Sequence, residues 1–204
     1  MPTLTLQQGR RERRLARDNM EVCDAVATAI ETELNWLAIA VTGDTLLGVV
    51  FGYATRKEAE NALRRALKQT DGNLEFIVEQ DTRRQNGLLA DLAERLERYA
   101  AGEPVDFSDV RVDESHLTPF GKRIVAACRR IGWGSRRSYG ELAVECGSAG
   151  AARAVGQVMA KNRFPLVVPC HRVLGAGGSL GGFSAPEGLR MKRRLLDLEG
   201  RKNL

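Results

Sequence analysis

A polar segment at residues 103–115 divides the chain into two parts with different patterns of apolar residues. The segment is acidic, contains Pro104 and has no periodic apolar face, which is typical of a linker between folded units. Before it, short β-rich runs alternate with helical patterns, whereas only short helical patterns follow it. The sequence therefore predicts an α+β protein, with a small sheet-and-helix supporting domain at residues 34–102 and a mainly helical domain at residues 116–204.

The first part contains two β-rich runs, at residues 34–41 and 45–51, separated by the turn sequence Thr42-Gly43-Asp44. Glycine accepts positive φ in such a turn, so the two runs predict a hairpin. Two amphipathic helices, at residues 57–68 and 88–99, and one further strand, at residues 74–78, complete this domain. None of these elements contains an obvious reactive group, which favours a supporting role.

The region before the hairpin has two predicted pieces. Residues 1–17 contain five arginines and no periodic apolar face, which predicts a basic N-terminal arm with poor order. Residues 19–33 are predicted to form a short helix. The arm is expected to add weak affinity for nucleic acid.

Helix-start signals mark the second part of the chain. Thr118-Pro119 places a cap before a proline at the first helical position, and Ser138 with Glu141 forms a capping box. A third helix is predicted at residues 149–161, and together with the helix that begins after Ser138 it has the outline of a helix-turn-helix. Ser184 and Glu187 suggest a second capping box before a last helix at residues 186–199, whose basic residues, including Lys192, are expected to be exposed.

A thiol and an imidazole stand side by side at Cys170 and His171. The chain has four cysteines and two histidines, so this pair indicates a nucleophile and its base, although a buried cysteine is also common as a small apolar residue. Residues 166–168 predict a buried strand that ends at Pro169. The glycine-rich segment at residues 175–182 favours a tight pocket lined by backbone N–H groups.

Charge is divided unevenly along the chain. Residues 1–115 contain 15 Lys/Arg and 21 Asp/Glu, a net charge of −6, whereas residues 116–204 contain 16 and 5, a net charge of +11. The second part is therefore the candidate for binding a polyanion such as DNA, with a solvated basic face as the alternative. The apolar runs are too short to span a bilayer and no CxxC pair occurs, so we expect a cytoplasmic protein, or a nuclear one in a eukaryote, without disulfides.

The sequence Pro169-Cys170-His171-Arg172-Val173 resembles the active-site signature of the O6-alkylguanine-DNA alkyltransferases, also called methylated-DNA–protein-cysteine methyltransferases. Further segments occur in the family's order and approximate spacing, at residues 138–143, 151–156, 182–184 and 195–200 and at Asn162, eight positions before Cys170. The resemblance covers residues 116–200 closely and residues 34–101 only in layout.

The resemblance implies DNA repair by single-turnover transfer of a methyl or alkyl group from O6-alkylguanine to Cys170, with O4-alkylthymine as a second substrate to be tested. His171 would take the thiol proton through a water molecule, and Glu199 would orient His171. Asn162 would hold the turn before the cysteine. Tyr139 would crowd the DNA phosphate and supply a proton to the leaving guanine.

The same resemblance implies the contacts to substrate. Because the alkyl carbon is unreachable inside a duplex, the base must be flipped out, and Arg153 would enter the stack in its place. Tyr139, Ala152 and Gly156 would also contact DNA, while Val173, Phe183 and Ser184 would bind the guanine. The expected partner is alkylated double-stranded DNA, with the groove left open, and we expect a monomer with no cofactor and no membrane contact.

Three departures from the family pattern occur, namely Arg163 in place of proline, Phe183 in place of tyrosine and Ala185-Pro186 in place of two glycines. The last changes the wall of the alkyl pocket. A metal site is not expected, because residues 1–115 contain Cys23 but no histidine.

Two other functions are compatible with parts of the sequence. A helix-turn-helix regulator or alkylation sensor needs the same DNA surface but no turnover of the lesion. A Cys-His hydrolase needs the same pair of side chains, but no acyl-binding signature accompanies them.

Overall fold

The computed structural model describes residues 25–67, 74–76 and 87–200. Within them, five strands form one sheet in the spatial order β4-β1-β2-β3-β5. Their bounds are β1 Ala25–Thr32, β2 Asn35–Thr42, β3 Thr45–Tyr53, β4 Leu74–Phe76 and β5 Arg111–Val112. The strands β1, β2 and β3 are antiparallel neighbours, and β4 and β5 run parallel to the strands they join at the edges. The predicted hairpin is confirmed, with Gly43 at φ 53° in its turn.

Strand β1 occupies residues 25–32, so the short helix predicted at residues 19–33 is wrong over that stretch, while residues 19–24 lie outside the described residues. Ala25, Ala27 and Ala29 face one apolar cluster, while Val26 and Ile30 face another. This alternation belongs to a strand that is buried on both faces. Alanine favours helices in isolation, but pairing with β2 and β4 overrides that preference. The basic arm predicted at residues 1–17 lies outside the described residues.

Two helices cover the faces of the sheet. Helix α1, Arg56–Ala66, begins at a complete Thr55–Glu58 capping box and packs on the alanine-rich face. Helix α2, Gly87–Ala100, packs Leu92, Leu96 and other apolar residues against the opposite face. Both helices were predicted. On β1, helix α1 meets the small side chains of three alanines, and on β3 it meets Leu47.

The connector at residues 103–115 is irregular but firmly attached to both parts. Phe107 and Val110 are buried, and β5 pairs with the start of β3. From the helical part, the Arg129 guanidinium donates hydrogen bonds to the carbonyls of Phe107, Ser108 and Val110. The segment predicted as a linker is therefore a packed element that fixes the two parts to each other.

Three helices in contact with one another begin the second part. They are α3 Pro119–Arg129, α4 Tyr139–Glu145 and α5 Ala152–Ala160. Both predicted caps are confirmed: Thr118 accepts from the backbone of Gly121, and Ser138 and Glu141 bond to each other's backbone. Helices α4 and α5 are the two elements of the predicted helix-turn-helix.

The last predicted elements differ from the structure. Residues 166–168 lie in a turn rather than a strand, and the chain passes through a 3-10 turn at Cys170–Arg172 into the short strand β7, Val173–Leu174. This strand pairs in parallel with β6, Arg137–Ser138. The final helix, α6, is Leu189–Gly200 and begins later than expected, because Ser184 donates its hydroxyl to the Ala160 carbonyl instead of capping a helix.

One apolar core joins the two parts of the chain. It includes Leu92 and Leu96 of α2 together with Val155 of α5 and Leu195 of α6. A backbone hydrogen bond from Val49 to Arg163, 2.8 Å long, adds a direct link between β3 and the loop after α5. Among the described residues, no helix is long and apolar enough to cross a membrane.

Candidate active site

The loop before Cys170 is held by the side chain of Asn162. The amide nitrogen of Asn162 donates to the Val168 carbonyl at 2.8 Å, and its oxygen accepts from the Phe164 backbone N–H at 3.0 Å. Leu166 has a φ of 74°, so a residue with a Cβ occupies the left-handed region inside this loop. The two hydrogen bonds of the Asn162 side chain help to hold this strained turn in place, and Cys170 follows directly after the turn.

The Cys170 thiol is buried, with 8% of the residue exposed. Burial raises its pKa, while a hydrogen bond from Asn162 and the positive charge of Lys192 act in the opposite direction without cancelling the effect. A buried thiol of this kind stays protonated at neutral pH, and only the thiolate is a strong nucleophile. The site therefore needs a base close to Cys170.

The neighbouring His171 is fully buried and is bonded to the carboxylate of Glu199 at the end of α6. The distance from His171 Nε2 to Glu199 Oε1 is 2.8 Å. Arg172 also donates to this carboxylate, through Nη2 at 2.8 Å and through Nε at 3.0 Å. Tyr99 of α2 donates its hydroxyl to Glu199 Oε1 at 2.6 Å. Four side chains from three separate segments thus form one buried cluster, which we call the Glu199 network: Tyr99, His171, Arg172 and Glu199.

Glu199 is ionised in this network. Burial by itself would raise the pKa of the carboxyl group, but hydrogen bonds from His171 and Arg172 and the charge of these two partners outweigh burial and hold the pKa at about 2. An ionised carboxylate can only accept hydrogen bonds, so Nε2 of His171 must donate. Burial also lowers the pKa of His171, more than Glu199 raises it, which favours the neutral imidazole.

In neutral His171 with a proton on Nε2, the other ring nitrogen, Nδ1, holds a lone pair. This atom is buried and has no hydrogen-bond partner among the described residues. The arrangement of an imidazole held in one tautomer by a carboxylate, next to a cysteine, matches what a thiol requires to lose its proton. The free lone pair of His171 Nδ1 makes this imidazole a candidate base for the adjacent Cys170.

Lys192 lies beneath this site and is completely buried. The exposed position predicted for Lys192 is therefore wrong. Its ammonium group donates to the carbonyls of Val173 at 2.7 Å and Leu180 at 2.5 Å, and lies 5.8 Å from the centre of the Tyr139 ring. Burial lowers the pKa of Lys192. Lys192 thus ties Leu180, within the glycine-rich segment, to Val173, which lies just before that segment.

A cavity of about 1130 Å³ opens onto Cys170. The second part of the chain provides Tyr139, Phe183 and Ser184 on its wall, and strand β3 of the first part provides Val49 to Phe51 and Tyr53. Phe51 and Phe183 meet edge to face with ring centres 6.4 Å apart across the boundary between the two parts. The first part of the chain thus builds one side of the cavity.

The four residues predicted to contact DNA all line this cavity. Tyr139 begins α4, and Ala152, Arg153 and Gly156 lie on α5. Arg153 is exposed, as a side chain that enters a base stack must be. Tyr139 lies close to Gly181, where an added Cβ would be 3.1 Å from the Tyr139 hydroxyl and where φ is 66°, so glycine is required at this position for two reasons.

The three predicted substrate residues are placed differently from one another. Phe183 and Ser184 line the cavity, next to Ala185 and Pro186. Val173 is fully buried, and its carbonyl accepts the hydrogen bond from Lys192. The structure therefore brings Val173 next to the site through its backbone and does not place its side chain on the cavity wall.

Sequence reasoning missed two members of the site and gave a third no role. Tyr99 was predicted only as part of an apolar helix face, Lys192 only as a surface cation, and Arg172 only as part of the motif. A fully buried tyrosine nearly always has a polar partner for its hydroxyl, which is the signal that Tyr99 offered. The described residues contain no group of three or more His, Cys, Asp or Glu that could hold a metal ion.

The chain is similar in sequence to known proteins of one family. Residues 119–201 match the family model described as 6-O-methylguanine DNA methyltransferase, DNA binding domain. A Mycobacterium leprae relative called methylated-DNA–protein-cysteine methyltransferase is 43% identical over 115 residues, which are 56% of this chain and 67% of that protein. A Bacillus subtilis relative, the constitutive methylated-DNA–protein-cysteine methyltransferase, is 33% identical over 159 residues, 78% of this chain and 93% of the relative.

Solved structures show the same likeness over both parts of the chain. The crystal structure of Mycobacterium tuberculosis OGT in complex with DNA is 31% identical and superposes with a TM-score of 0.65 over 86% of this chain and 92% of that one. The O6-methylguanine-DNA methyltransferase from the archaeon Pyrococcus kodakaraensis has the same fold, with a TM-score of 0.62 at 23% identity over 87% of this chain and 99% of that one.

Proposed function

The chain belongs to the methylated-DNA–protein-cysteine methyltransferase family, and from this premise we propose that it repairs DNA by transferring an alkyl group from O6-alkylguanine to Cys170. The observation that carries the proposal is the buried Cys170–His171 pair with Glu199 behind the imidazole, since this arrangement prepares a thiol for attack. A protein that only bound DNA would have no use for an activated thiol. For this reason we favour alkyl transfer over a regulator that only binds DNA.

The proposed reaction has the following steps. His171 accepts the Cys170 proton at Nδ1 through a bridging water, and the thiolate attacks the alkyl carbon. A carbon–sulfur bond forms as the carbon–oxygen bond to guanine breaks, and guanine leaves with the electron pair. Tyr139, which lines the cavity, donates a proton to the departing base, and the imidazolium of His171 gives up the proton taken from the thiol to the tyrosinate through solvent, so that overall a proton replaces the alkyl group on guanine. The thioether has no leaving route, and each protein molecule acts once.

DNA binds, in this proposal, to the face formed by α4 and α5, with α5 as the recognition helix of a helix-turn-helix. Arg153 enters the stack when the lesion leaves it, and Tyr139, Ala152 and Gly156 approach the backbone and the flipped nucleotide. The net charge of +11 on residues 116–204 supports binding to a polyanion. Ser184 and Phe183, with the backbone of Val173, form the guanine pocket.

The protein acts as a monomer in this proposal, because every group of the site comes from one chain. Its place of action is the cytoplasm, where the chromosome lies in bacteria and archaea, the sources of the relatives compared above.

Intact-mass measurement tests the reaction directly. After incubation with an oligonucleotide that contains O6-methylguanine, the wild type should gain the mass of one methylene group, located by peptide mapping at Cys170. Cys170→Ala should gain nothing while keeping its fold and its affinity for DNA. Cys146→Ala is the matched control, because it removes another buried free thiol and should leave transfer intact. Transfer in Cys170→Ala, or a methyl group on another cysteine, would contradict the assignment.

A further inference from the structure

Tyr99 belongs to the first part of the chain, but its hydroxyl reaches His171 and Glu199 of the second part. It lies near the end of α2, is completely buried, and packs its ring edge to face on Trp133 with ring centres 5.2 Å apart. Phe107 of the connector packs against the same ring, with ring centres 6.3 Å apart. The aromatic packing fixes the ring, and the ring fixes the position of the hydroxyl.

The hydroxyl of Tyr99 touches two members of the Glu199 network at once. It lies 2.6 Å from Glu199 Oε1 and 3.2 Å from His171 Nε2. Burial and the negative charge of Glu199 both raise the pKa of Tyr99, so the phenol stays protonated and donates a hydrogen bond to the carboxylate. The phenol oxygen then has lone pairs directed towards the N–H of His171, which shares its hydrogen between Glu199 and Tyr99.

We propose that Tyr99 is a positioning residue for the transfer reaction, whose hydroxyl holds Glu199 and the Nε2–H of His171 so that Nδ1 stays the proton acceptor. The proposal deepens the function inferred above and rests on it for its biological meaning. It gives the first part of the chain a role in the reaction beyond support. Tyr99 itself does not touch Cys170 or the guanine.

The Tyr99 hydroxyl also reduces the extent to which the Glu199 carboxylate stabilises a protonated His171. Glu199 Oε1 accepts from His171, Arg172 and Tyr99, and each donor disperses part of the negative charge. When one donor is removed, the remaining charge stabilises the imidazolium more strongly. Loss of the Tyr99 hydroxyl should therefore make His171 easier to protonate and narrow the pH range in which it can act as a base.

Other charged and titratable groups also surround His171 and stay unchanged in this comparison. They are Glu199 and Lys192 from α6 and Arg172 from its own turn. The Cys170 thiol belongs to the adjacent residue, and Cys128 of α3 interacts with Cys170. Because Tyr99→Phe leaves all of them in place, a change in the titration of His171 reports on the hydroxyl alone.

Nuclear magnetic resonance of the free protein provides the test. With ¹⁵N-labelled histidine, the spectrum contains signals from His116 and His171 only, and His116→Gln assigns them. The wild type should show His171 with its proton on Nε2. In Tyr99→Phe the pKa of His171 should rise by about one pH unit, as expected for the loss of one hydrogen bond to the partner carboxylate.

Phe107→Leu is the matched control, because it disturbs packing on the same ring but keeps the hydroxyl. Its His171 titration should equal that of the wild type. An unchanged titration in Tyr99→Phe, an equal shift in Phe107→Leu, or a wild-type His171 with its proton on Nδ1 would each overturn the proposal.

A kinetic arm links the hydroxyl to the reaction. The acid limb of the methyl-transfer rate in Tyr99→Phe should move to higher pH by the same amount, while the affinity for DNA stays at the wild-type value because Tyr99 is buried. If the rate constant is unchanged at every pH, Tyr99 has no positioning role. If the wild type transfers no methyl group at all, the proposed function fails, and the magnetic resonance titration still decides the role of the hydroxyl.

Discussion

Replacing Glu199 by glutamine keeps the shape of the side chain but removes the negative charge that His171 and Arg172 share. The carboxyl has an ordinary pKa of 4.5, which the folded protein lowers to about 2. A difference of about 2.5 pH units, at about 1.36 kcal/mol per unit, corresponds to about 3 kcal/mol of stability from the ionised form. Breaking a buried ion pair by removing one partner costs about 3 to 5 kcal/mol in other proteins, which agrees with this figure.

The pH dependence has a definite sign. Because folding lowers the pKa of Glu199, its stabilisation is complete above pH 4.5 and is lost as the pH falls from 4.5 towards 2. Glu199→Gln lacks this contribution at every pH. The difference in free energy of unfolding between wild type and variant should therefore be about 3 kcal/mol at pH 7 and should shrink below pH 4.5.

Urea unfolding, followed by circular dichroism at pH 7, 5, 4 and 3, measures this difference. Asp44→Asn is the control, since Asp44 also pairs with an arginine, Arg111, but both side chains are 72% exposed. No measurable loss is expected there, because exposed ion pairs contribute little. A loss in Glu199→Gln below about 1 kcal/mol, or one that stays constant between pH 7 and pH 3, would refute the reasoning.

Two further predictions concern the substrate. Arg153→Ala should slow transfer from duplex DNA by roughly tenfold but hardly affect transfer from the free O6-methylguanine base, because only a stacked base must be extruded. Arg190→Ala is the control, and equal losses on both substrates in Arg153→Ala would rule out the stack-entering role. Ala185→Gly should raise the rate of alkyl transfer from O6-benzylguanine relative to that from O6-methylguanine, since it removes a Cβ and makes the backbone beside Pro186 on the cavity wall more flexible. An unchanged ratio of the two transfer rates would mean that this loop does not set the width of the pocket.

Elements defined by local interactions could be predicted from the sequence. The caps at Thr118 and Ser138 depend on residues within three positions of each other, and both are present. The hairpin around Gly43 has the same local origin. The order of the motifs around Cys170 also indicated the family correctly, because each motif is short and its residue types are specific.

Elements defined by distant contacts were not predictable in this way. Strand β1 is rich in alanine, and only its pairing with β2 and β4 makes it a strand. The turn before Cys170 was predicted as a strand because its residues are apolar, yet they are buried without pairing. Lys192 follows the basic pattern of a surface helix but is buried, where its ammonium group donates hydrogen bonds to the carbonyls of Val173 and Leu180.

The Glu199 network joins residues that are far apart in the sequence, with Tyr99 and Glu199 separated by 100 positions. The ribosome makes Tyr99 early, Cys170 later and Glu199 last, so the thiol leaves the ribosome before its imidazole has a carboxylate partner. Contacts of such high sequence separation form late in folding, since the entropy of closing long loops must be overcome first. His171 therefore has its carboxylate partner only once α6 has docked, so the fixed tautomer of the imidazole beside Cys170 is a property of the whole folded chain and not of the local Cys170-His171 sequence.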